Sequence, residues 1–523
     1  MFATSANDPL LVFSRFGLGA RPGDFAGLPS DLKVALIAEI SDPTTLFLAD
    51  AGLPSTADAF TQVREFQKAR QLQKQQAAIA AGSTAPVDGV ATKPGAVAPT
   101  AGAMAGGVAM APAGTMGGTD MMSGMAAGAV ATGPGKAAAP VKAMPQPDAD
   151  KPILINPGSM QDAEIAARLD RVRAAKIGFG ERLVAFWANH FAVQSAADEV
   201  VKGLAGAFER EAIRPYVLGN FGDMVLAVTQ HPAMLMSLNN ATSIGPNSPE
   251  GRKNRKGLNE NHARELMELH TVGVDGGYTQ ADVTAFAKVL TGWTFGRGEN
   301  QPAIYGKFVF RKGAHEPGPQ TVMGKVYPQQ GIDQGEAVIA DLAQSAATAK
   351  HIALKLARYF VADEPDQPLV EQLAHVFTKT HGDLHAVTLA LINAPEAWAA
   401  PPEKLKTPQE FLWSAVRALS LDIKPNFVNR ALGDLGQPMW NPPSPQGFKD
   451  DAATWLAPDA ITTRVDVAEL MAAQSKGTED PRTLARDILG PGVSEATSTA
   501  IEHAESRGQA LALLLMSPEF QRR

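Results

Sequence analysis

Periodicity limits this chain more than any other feature. From about residue 158 onward, apolar side chains recur at helical spacing in segment after segment, and runs that alternate every second residue are few. "MQDAEIAARLDRVRAAKIGFGERLVAFWANHFAV" predicts two helices broken near Gly178–Gly180. Further helices are predicted over 198–217, 221–239, 260–271, 280–290, 333–344, 346–361, 368–379, 383–393, 407–420, 465–473, 482–489 and 495–517. Helices without interleaved strands argue against a Rossmann or TIM-barrel architecture. The exception is 303–327, "AIYGKFVFRKGAHEPGPQTVMGKVY", where Phe308, Phe310, Val322 and Val326 predict one small hairpin. Upstream, Leu32, Ala35, Leu36 and Ile40 form a helical stripe, and a second helix starts at Thr56. The expected fold is mainly α: a multi-helix globular domain with a small β-hairpin excursion.

Residues 83–150 differ in kind. They are rich in Ala, Gly, Pro and Met, contain no aromatic residue and few charges, and keep no period. Such a composition cannot offset the entropy of ordering, so a long disordered insertion is expected there. The expected organisation is 1–82 as the N-terminal helical part, 83–150 as the low-complexity insertion and 151–523 as the main helical domain. Met104, Met110, Met116, Met121, Met122, Met125 and Met144 raise a Cu(I) reading. They lack the repeated spacing and the histidines that would support it, and a linker is the reading adopted.

Lysine and arginine number 47 against 54 acidic residues, a formal charge of -7. That balance gives no electrostatic reason to expect nucleic acid as a partner. The basic run "GRKNRKG" at 251–257 reads as a solvated loop. With no cysteine, disulfides, thiolate nucleophiles and zinc–thiolate sites are excluded. The start, "MFATSANDPLLVFSRFGLGARPGD", has no basic n-region followed by an apolar run, so a cytoplasmic location is expected. No stretch has the unbroken apolar length of a membrane span.

The chemistry-bearing stretch is "LNENHARELMELHTVG", 258–273. Asn259 is the expected N-cap and Gly273 the stop. Helical spacing places Asn261, Arg264, Glu265 and Glu268 on one face and His262, Leu266 and Leu269 on another. In the earlier helix, "FGERLVAFWANHFAV", His190 and Asn189 stand among Phe186, Trp187 and Phe191. Buried polar groups need partners, and Glu265 is the expected partner of His190. Three readings follow. The adopted one is a helix-joining seam of His190, Asn189, Arg264 and Glu265, with Trp187, Asn261, Glu268 and Trp293 as structural or binding neighbours, in a binding or assembly protein. The second is a hydrolytic or metal-assisted cleft lined by His190, Arg264, Glu265 and His315. The third is a divalent-metal site of His190 and Glu265 with His270 or His315. "HARELMELH" is not H-E-x-x-H, because His262 and His270 are eight apart. The adopted reading implies no cofactor; a divalent metal is the alternative.

Other stretches add less. His315 and Glu316 lie in the loop "RKGAHEPGPQTVMGK", whose glycines match neither a P-loop nor a dinucleotide fingerprint. His381 and His385 have i, i+4 spacing but no carboxylate beyond Asp383. "TAKHIALKLARYFVADEP" reads as an amphipathic helix with Lys355 and Arg358 on its basic side. "LGQPMWNPPSPQGFKDDAATWLAP", 435–458, reads as a packed loop able to line a pocket through Gln437, Asn441, Ser444 and its aromatic rings. No G-x-S-x-G elbow is present.

Taken in order, "SRFGLGARPGD", "FWANHFAV", "HPAMLMSLNN", "NENHARELMELHTVGVDGGYTQADVTAFAKVLTGWTF", "KLARYFV", "GDLHAVTLALINAPEAW" and "GQPMWNPPSPQGF" resemble the bacterial family catalogued as domain of unknown function 1800. The resemblance covers nearly the whole chain outside 83–150. It implies a mainly α-helical fold and supplies no activity, substrate or cofactor. Members are often exported and occur beside sulfatase-like proteins, which makes an extracytoplasmic location and a sulfatase-like protein partner further expectations. The residues here that match its most specific motifs are Trp187, Asn189, His190, Phe191, Asn259, Glu260, Asn261, Arg264, Glu265, Glu268, Gly273, Thr291, Gly292 and Trp293.

Overall fold

The structure is a computed structural model and describes residues 9–48, 52–80, 155–254, 257–298, 300–399 and 402–523. The chain divides into two units, Met1–Arg70 with Leu154–Arg523, and Gln71–Ile153. Of the second unit, the helical residues 71–80 are described. The expected insertion at 83–150 lies outside the described residues, as do both of its boundaries.

The first unit is mainly helical, as the periodicity requires. The helices used below are α1 (Leu32–Ser41), α2 (Thr56–Ala80), α3 (Pro157–Ala174), α4 (Phe179–His190), α5 (Ala346–Phe360), α6 (Pro408–Ala418), α7 (Pro458–Gln474) and α8 (Arg507–Met516). Local chemistry sets their ends. The Ser345 hydroxyl caps α5 by accepting from the Thr348 amide at 3.1 Å. Thr407 and Glu410 form a reciprocal capping box at the start of α6. The N-terminal segment is tied into the core through Phe16, whose ring lies 5.5 Å from Phe179 of α4, 6.2 Å from Phe360 of α5 and 5.1 Å from Trp398.

Breaks in helical runs account for most differences from the expected elements. The 221–239 helix is two, Phe221–Gln230 and Pro232–Ser237. Pro232 lacks the N–H a continuous helix needs and holds His231 extended, and the His231 Nδ1 then accepts from the Ala233 amide at 3.1 Å. The 495–517 helix is likewise Glu495–Glu502 and α8, with Ser506 capping the second by accepting from Gln509. A helix at Pro425–Asp434 was not expected.

The β excursion is two small antiparallel sheets rather than one hairpin. β1 (Trp293–Phe295) pairs with β2 (Phe308–Phe310), and β3 (Gln320–Val322) pairs with β4 (Lys325–Tyr327). Met323 and Gly324 between β3 and β4 both take positive φ, 48° and 78°. That pair of values belongs to the tight turn that matches strand twist, so β3 closes on β4 and leaves β2 to pair back with β1.

Candidate functional site

The site is built on α4. Its entry is fixed from outside: the Glu39 carboxylate of α1 accepts from the amides of Ile177 and Gly178, each at 3.0 Å, beside the positive end of the helix. Most of α4 is buried, but Ala185, Ala188 and Asn189 form a partly open stripe at i, i+3, i+4 spacing. Over that stripe lies the proline-rich loop. Asn189 Nδ2 donates to the Phe448 carbonyl at 2.9 Å, and the Phe448 amide donates to Asn189 Oδ1 at 2.7 Å. One side-chain amide thus pairs with one backbone residue as a neighbouring strand would. The pairing requires Gly447, at φ 84°, because a Cβ there would sit 2.4 Å from the Asn189 carbonyl oxygen. Further along the loop, Trp440 Nε1 donates to Glu209 at 3.0 Å and Asn441 Oδ1 accepts from the Ala196 amide at 2.9 Å.

The 258–273 stretch answers to α4 through its carbonyls. It begins as an α-helix, Asn261–Glu265, and widens into a π-turn, Leu266–His270. A turn that ends on i→i+5 geometry leaves its last carbonyls without partners inside the helix. Four of these carbonyls find partners outside the regular ladder. Leu266 O accepts from Thr271 Oγ1 at 2.6 Å and Met267 O from the Gly273 amide at 3.0 Å. Leu269 O bonds His351 Nε2 at 3.1 Å, and His270 O bonds His190 Nε2 at 3.1 Å. A carbonyl can only accept, so both imidazoles carry their proton on Nε2. The other nitrogen of His190, Nδ1, is therefore an acceptor, and Lys355 Nζ donates to it at 2.8 Å. Gly273 is needed both for its φ of 85° and because a Cβ would meet the His351 ring at 2.8 Å.

The same wide turn brings His262 and His270 into one buried cluster. An α turn of about 3.6 residues followed by an i→i+5 turn places residues eight apart on one face. Both rings are buried, and neither ring nitrogen of either has a hydrogen-bond partner. Burial lowers His262 to about 3. It also pushes His190 and His270 well below the ordinary histidine value, and the nearby Lys355 charge lowers both further. His351, lowered to about 4 by burial and Lys355, completes a set of neutral imidazoles.

His190 and Lys355 open onto a pocket of about 450 Å³, whose wall includes Phe186, Tyr359, Phe448, Arg358 and Asp450. Beneath it runs an ionic frame. Glu410 pairs with Arg182 at 2.9 Å and with Arg523 at 2.8 Å, and Arg523 also meets Asp450 at 2.8 Å. Lys404 pairs with Asp363 and stands 3.6 Å from Asp450. Burial alone would raise the Glu410 carboxyl, but the two guanidiniums outweigh it and hold it below its ordinary value. For Asp450 burial wins, pushing it up to about 6 against Arg523 and Lys404. Burial likewise lowers Lys355 to about 8, with Asp450 opposing and Arg358 adding. The pocket thus carries two groups that titrate near neutrality on opposite sides of it.

Of the expected seam, His190 and Asn189 line the pocket together, and Arg264 and Glu265 do not line it. The partnership of His190 with Glu265 is corrected: both His190 ring nitrogens are taken, by Lys355 and by the His270 carbonyl. Glu265 is half-buried beside Glu268, and burial and then that like charge raise its carboxyl despite Arg264. Arg264 instead pairs with Glu260 at 3.1 Å and with Gln280 at 2.9 Å. Glu268 accepts from the Tyr278 hydroxyl at 3.1 Å, and the Asn261 amide donates to Asn259 Oδ1 at 3.0 Å. His315 Nδ1 is engaged with the Thr291 carbonyl at 3.0 Å while its ring packs on Phe310. The cleft expected from His190, Arg264, Glu265 and His315 is therefore replaced by a pocket that none of the last three lines. Trp187 and Trp293 are fully buried core residues.

Among the described residues, no group of three or more His, Asp or Glu side chains is placed to hold a metal ion. This weighs against the site of His190 and Glu265 with His270 or His315. His190 has no free nitrogen, and the His270 ring lies 5.0 Å from Phe191. Also among the described residues, no helix is long and apolar enough to cross a membrane.

Lys355, Tyr359 and Asp450 were missed as site residues by reasoning from the sequence. Their signal was available: "FWANHFAV", "KLARYFV" and "GQPMWNPPSPQGF" supply His190, Lys355 and Phe448, and the pocket lies where the three segments meet.

Against known proteins, residues 11–522 match the family described as Protein of unknown function (DUF1800). No curated protein and no solved structure matches the chain.

Proposed function

The chain belongs to the DUF1800 family, and we propose that it is a binding and assembly module whose preformed pocket receives a small polar ligand. The observation that carries this reading is the two-point clamp of Asn189 on Phe448, which fixes the loop over α4 above a buried polar network. A pocket ordered in advance spends little binding free energy on arranging itself. Aromatic walls with a few convergent polar groups suit a small ligand bearing hydrogen-bonding groups. A sulfatase-like protein is the partner class for the assembly role, resting on the family resemblance alone.

The test is a thermal-shift screen of the full chain against amino acids, sugars and small organic acids. Gln446 is exposed at the pocket mouth, and Gln446→Trp fills that mouth without touching the network beneath. A compound class that raises Tm in the wild type and not in Gln446→Trp is the expected result. No stabilising class, or equal shifts in both proteins, would remove the pocket reading.

A further inference from the structure

Among the described residues, the buried lysines Lys404 and Lys406 are held in two ways. Lys404 is fixed by the carboxylates of Asp363 and Asp450, and Lys406 is buried with its ammonium 4.2 Å from the Phe520 ring centroid. Lys355 differs from both. It is half-buried, lines the pocket, and gives its hydrogen bond to an imidazole. Because the His270 carbonyl keeps the His190 proton on Nε2, His190 can only accept from Lys355. A neutral Lys355 amine that donates to His190 keeps its own lone pair free. That is the arrangement an amine nucleophile needs.

We propose that Lys355 captures a small aldehyde or ketone in this pocket as an imine, with His190 orienting the amine by accepting its hydrogen bond. This deepens the binding reading above and rests on it. The lone pair of Lys355 Nζ forms a bond to the carbonyl carbon, and the carbonyl π pair moves to oxygen. A proton passes from nitrogen to that oxygen while His190 Nδ1 accepts the hydrogen bond of the remaining N–H. Loss of water then leaves the C=N bond; amine and carbonyl give imine and water, with nothing oxidised or reduced. The Phe186, Tyr359 and Phe448 rings in the wall limit the water that would reverse the step.

The charges facing Lys355 fit this role. His190, His270 and His351 are held neutral by burial, Arg358 disfavours a second cation and Asp450 favours one, and Asp363, Glu364, Lys449 and Asp451 also line the pocket. The outcome is an amine titrating at about 8, present in useful amount at neutral pH.

The experiment treats the full chain at pH 7 with propanal and cyanoborohydride, which reduces any imine to a stable secondary amine, and follows each lysine by peptide mass mapping. Lys355 is expected to label at least about 10-fold faster than Lys424, which is 74% exposed, because more of it is neutral. Its rate should inflect near 8. Lys406 is the control for geometry: burial lowers it to about 7, yet it is closed off and should stay unlabelled. Gln446→Trp should slow Lys355 and leave Lys424 unchanged. His190→Gln, if folded by circular dichroism, should lose the preference; the wild-type comparison stands without it. Labelling of Lys355 no faster than Lys424, or labelling of Lys406 to the same extent, would overturn the imine. Ligand binding blocked by Gln446→Trp alongside slow Lys355 labelling would overturn the imine and leave the binding reading intact.

Discussion

Lys355 Nζ stands 2.8 Å from His190 Nδ1, while the opposite ring nitrogen of His190 bonds the His270 carbonyl at 3.1 Å. One imidazole therefore joins α4, α5 and the end of the 261–270 segment. Removing either side chain of the pair strands the other. Lys355→Met and His190→Ala should each cost roughly 1–3 kcal/mol, and the double variant clearly less than their sum. The companion cycle of His190→Ala with Glu265→Ala should be additive within about 0.5 kcal/mol, because the two share no partner. Urea unfolding of the three single and two double variants measures both, and coupling between His190 and Glu265 would contradict the observed arrangement.

Asn189 makes both of its described bonds to one backbone residue, so its truncation has a local signature. Asn189→Ala should cost roughly 1–3 kcal/mol and free the loop around Phe448. Limited proteolysis should then cut between 440 and 450 faster than in the wild type, while helical content holds. Asn189→Asp keeps the acceptor for the Phe448 amide but sets a carboxylate against the Phe448 carbonyl. It should be no better than alanine.

Acid should unfold this protein through its histidines. Burial lowers His231 and His262 to about 3 and His351 to about 4 in the folded state, against about 6.5 in the unfolded chain. Folded pKa values below unfolded ones mean that the unfolded state binds more protons as pH falls. Their contribution is complete above about 6.5 and is lost from there down to about 3–4, at about 1.4 kcal/mol per pH unit per histidine. Denaturation midpoints between pH 7 and 4 read that slope. His262 has no hydrogen-bond partner to lose, so His262→Leu should hold or raise stability at pH 7 and make the slope shallower. A steeper slope in that variant would refute the assignment.

The ionic frame is sensitive to losing its centre. Glu410 stands between Arg182 and Arg523, both essentially without solvent contact. Glu410→Gln leaves two buried guanidiniums short of a counter-charge and should cost roughly 3–5 kcal/mol. Chemical denaturation checks this, and a loss below about 1 kcal/mol would show that Asp450 suffices for both.

The elements read best from the sequence were those governed by neighbours in the chain. The α5 helix and its buried Ile352 and Phe360 follow from spacing alone. His190 was legible as a buried group in need of a partner, because aromatic residues crowd it on its own helix. Its partner was not. Glu265 lies on the polar face that a regular helix predicts, but the turn after it widens, and the group offered to His190 is the backbone carbonyl of His270. A backbone acceptor left over by an irregular turn has no side-chain identity to find in a sequence.

By itself, then, the sequence determined which segments are helical, which of their faces are apolar, and that buried polar groups had to be satisfied somewhere, since propensity, periodicity and the cost of desolvation all act on local residue types. Only the tertiary structure decided who satisfies them. Lys355, 165 positions from His190, and Phe448, 259 positions from Asn189, become partners because packing brings distant segments to hydrogen-bonding distance, and a hydrogen bond a few tenths of an ångström either way of 3 Å is set by that packing and by no pattern along the chain.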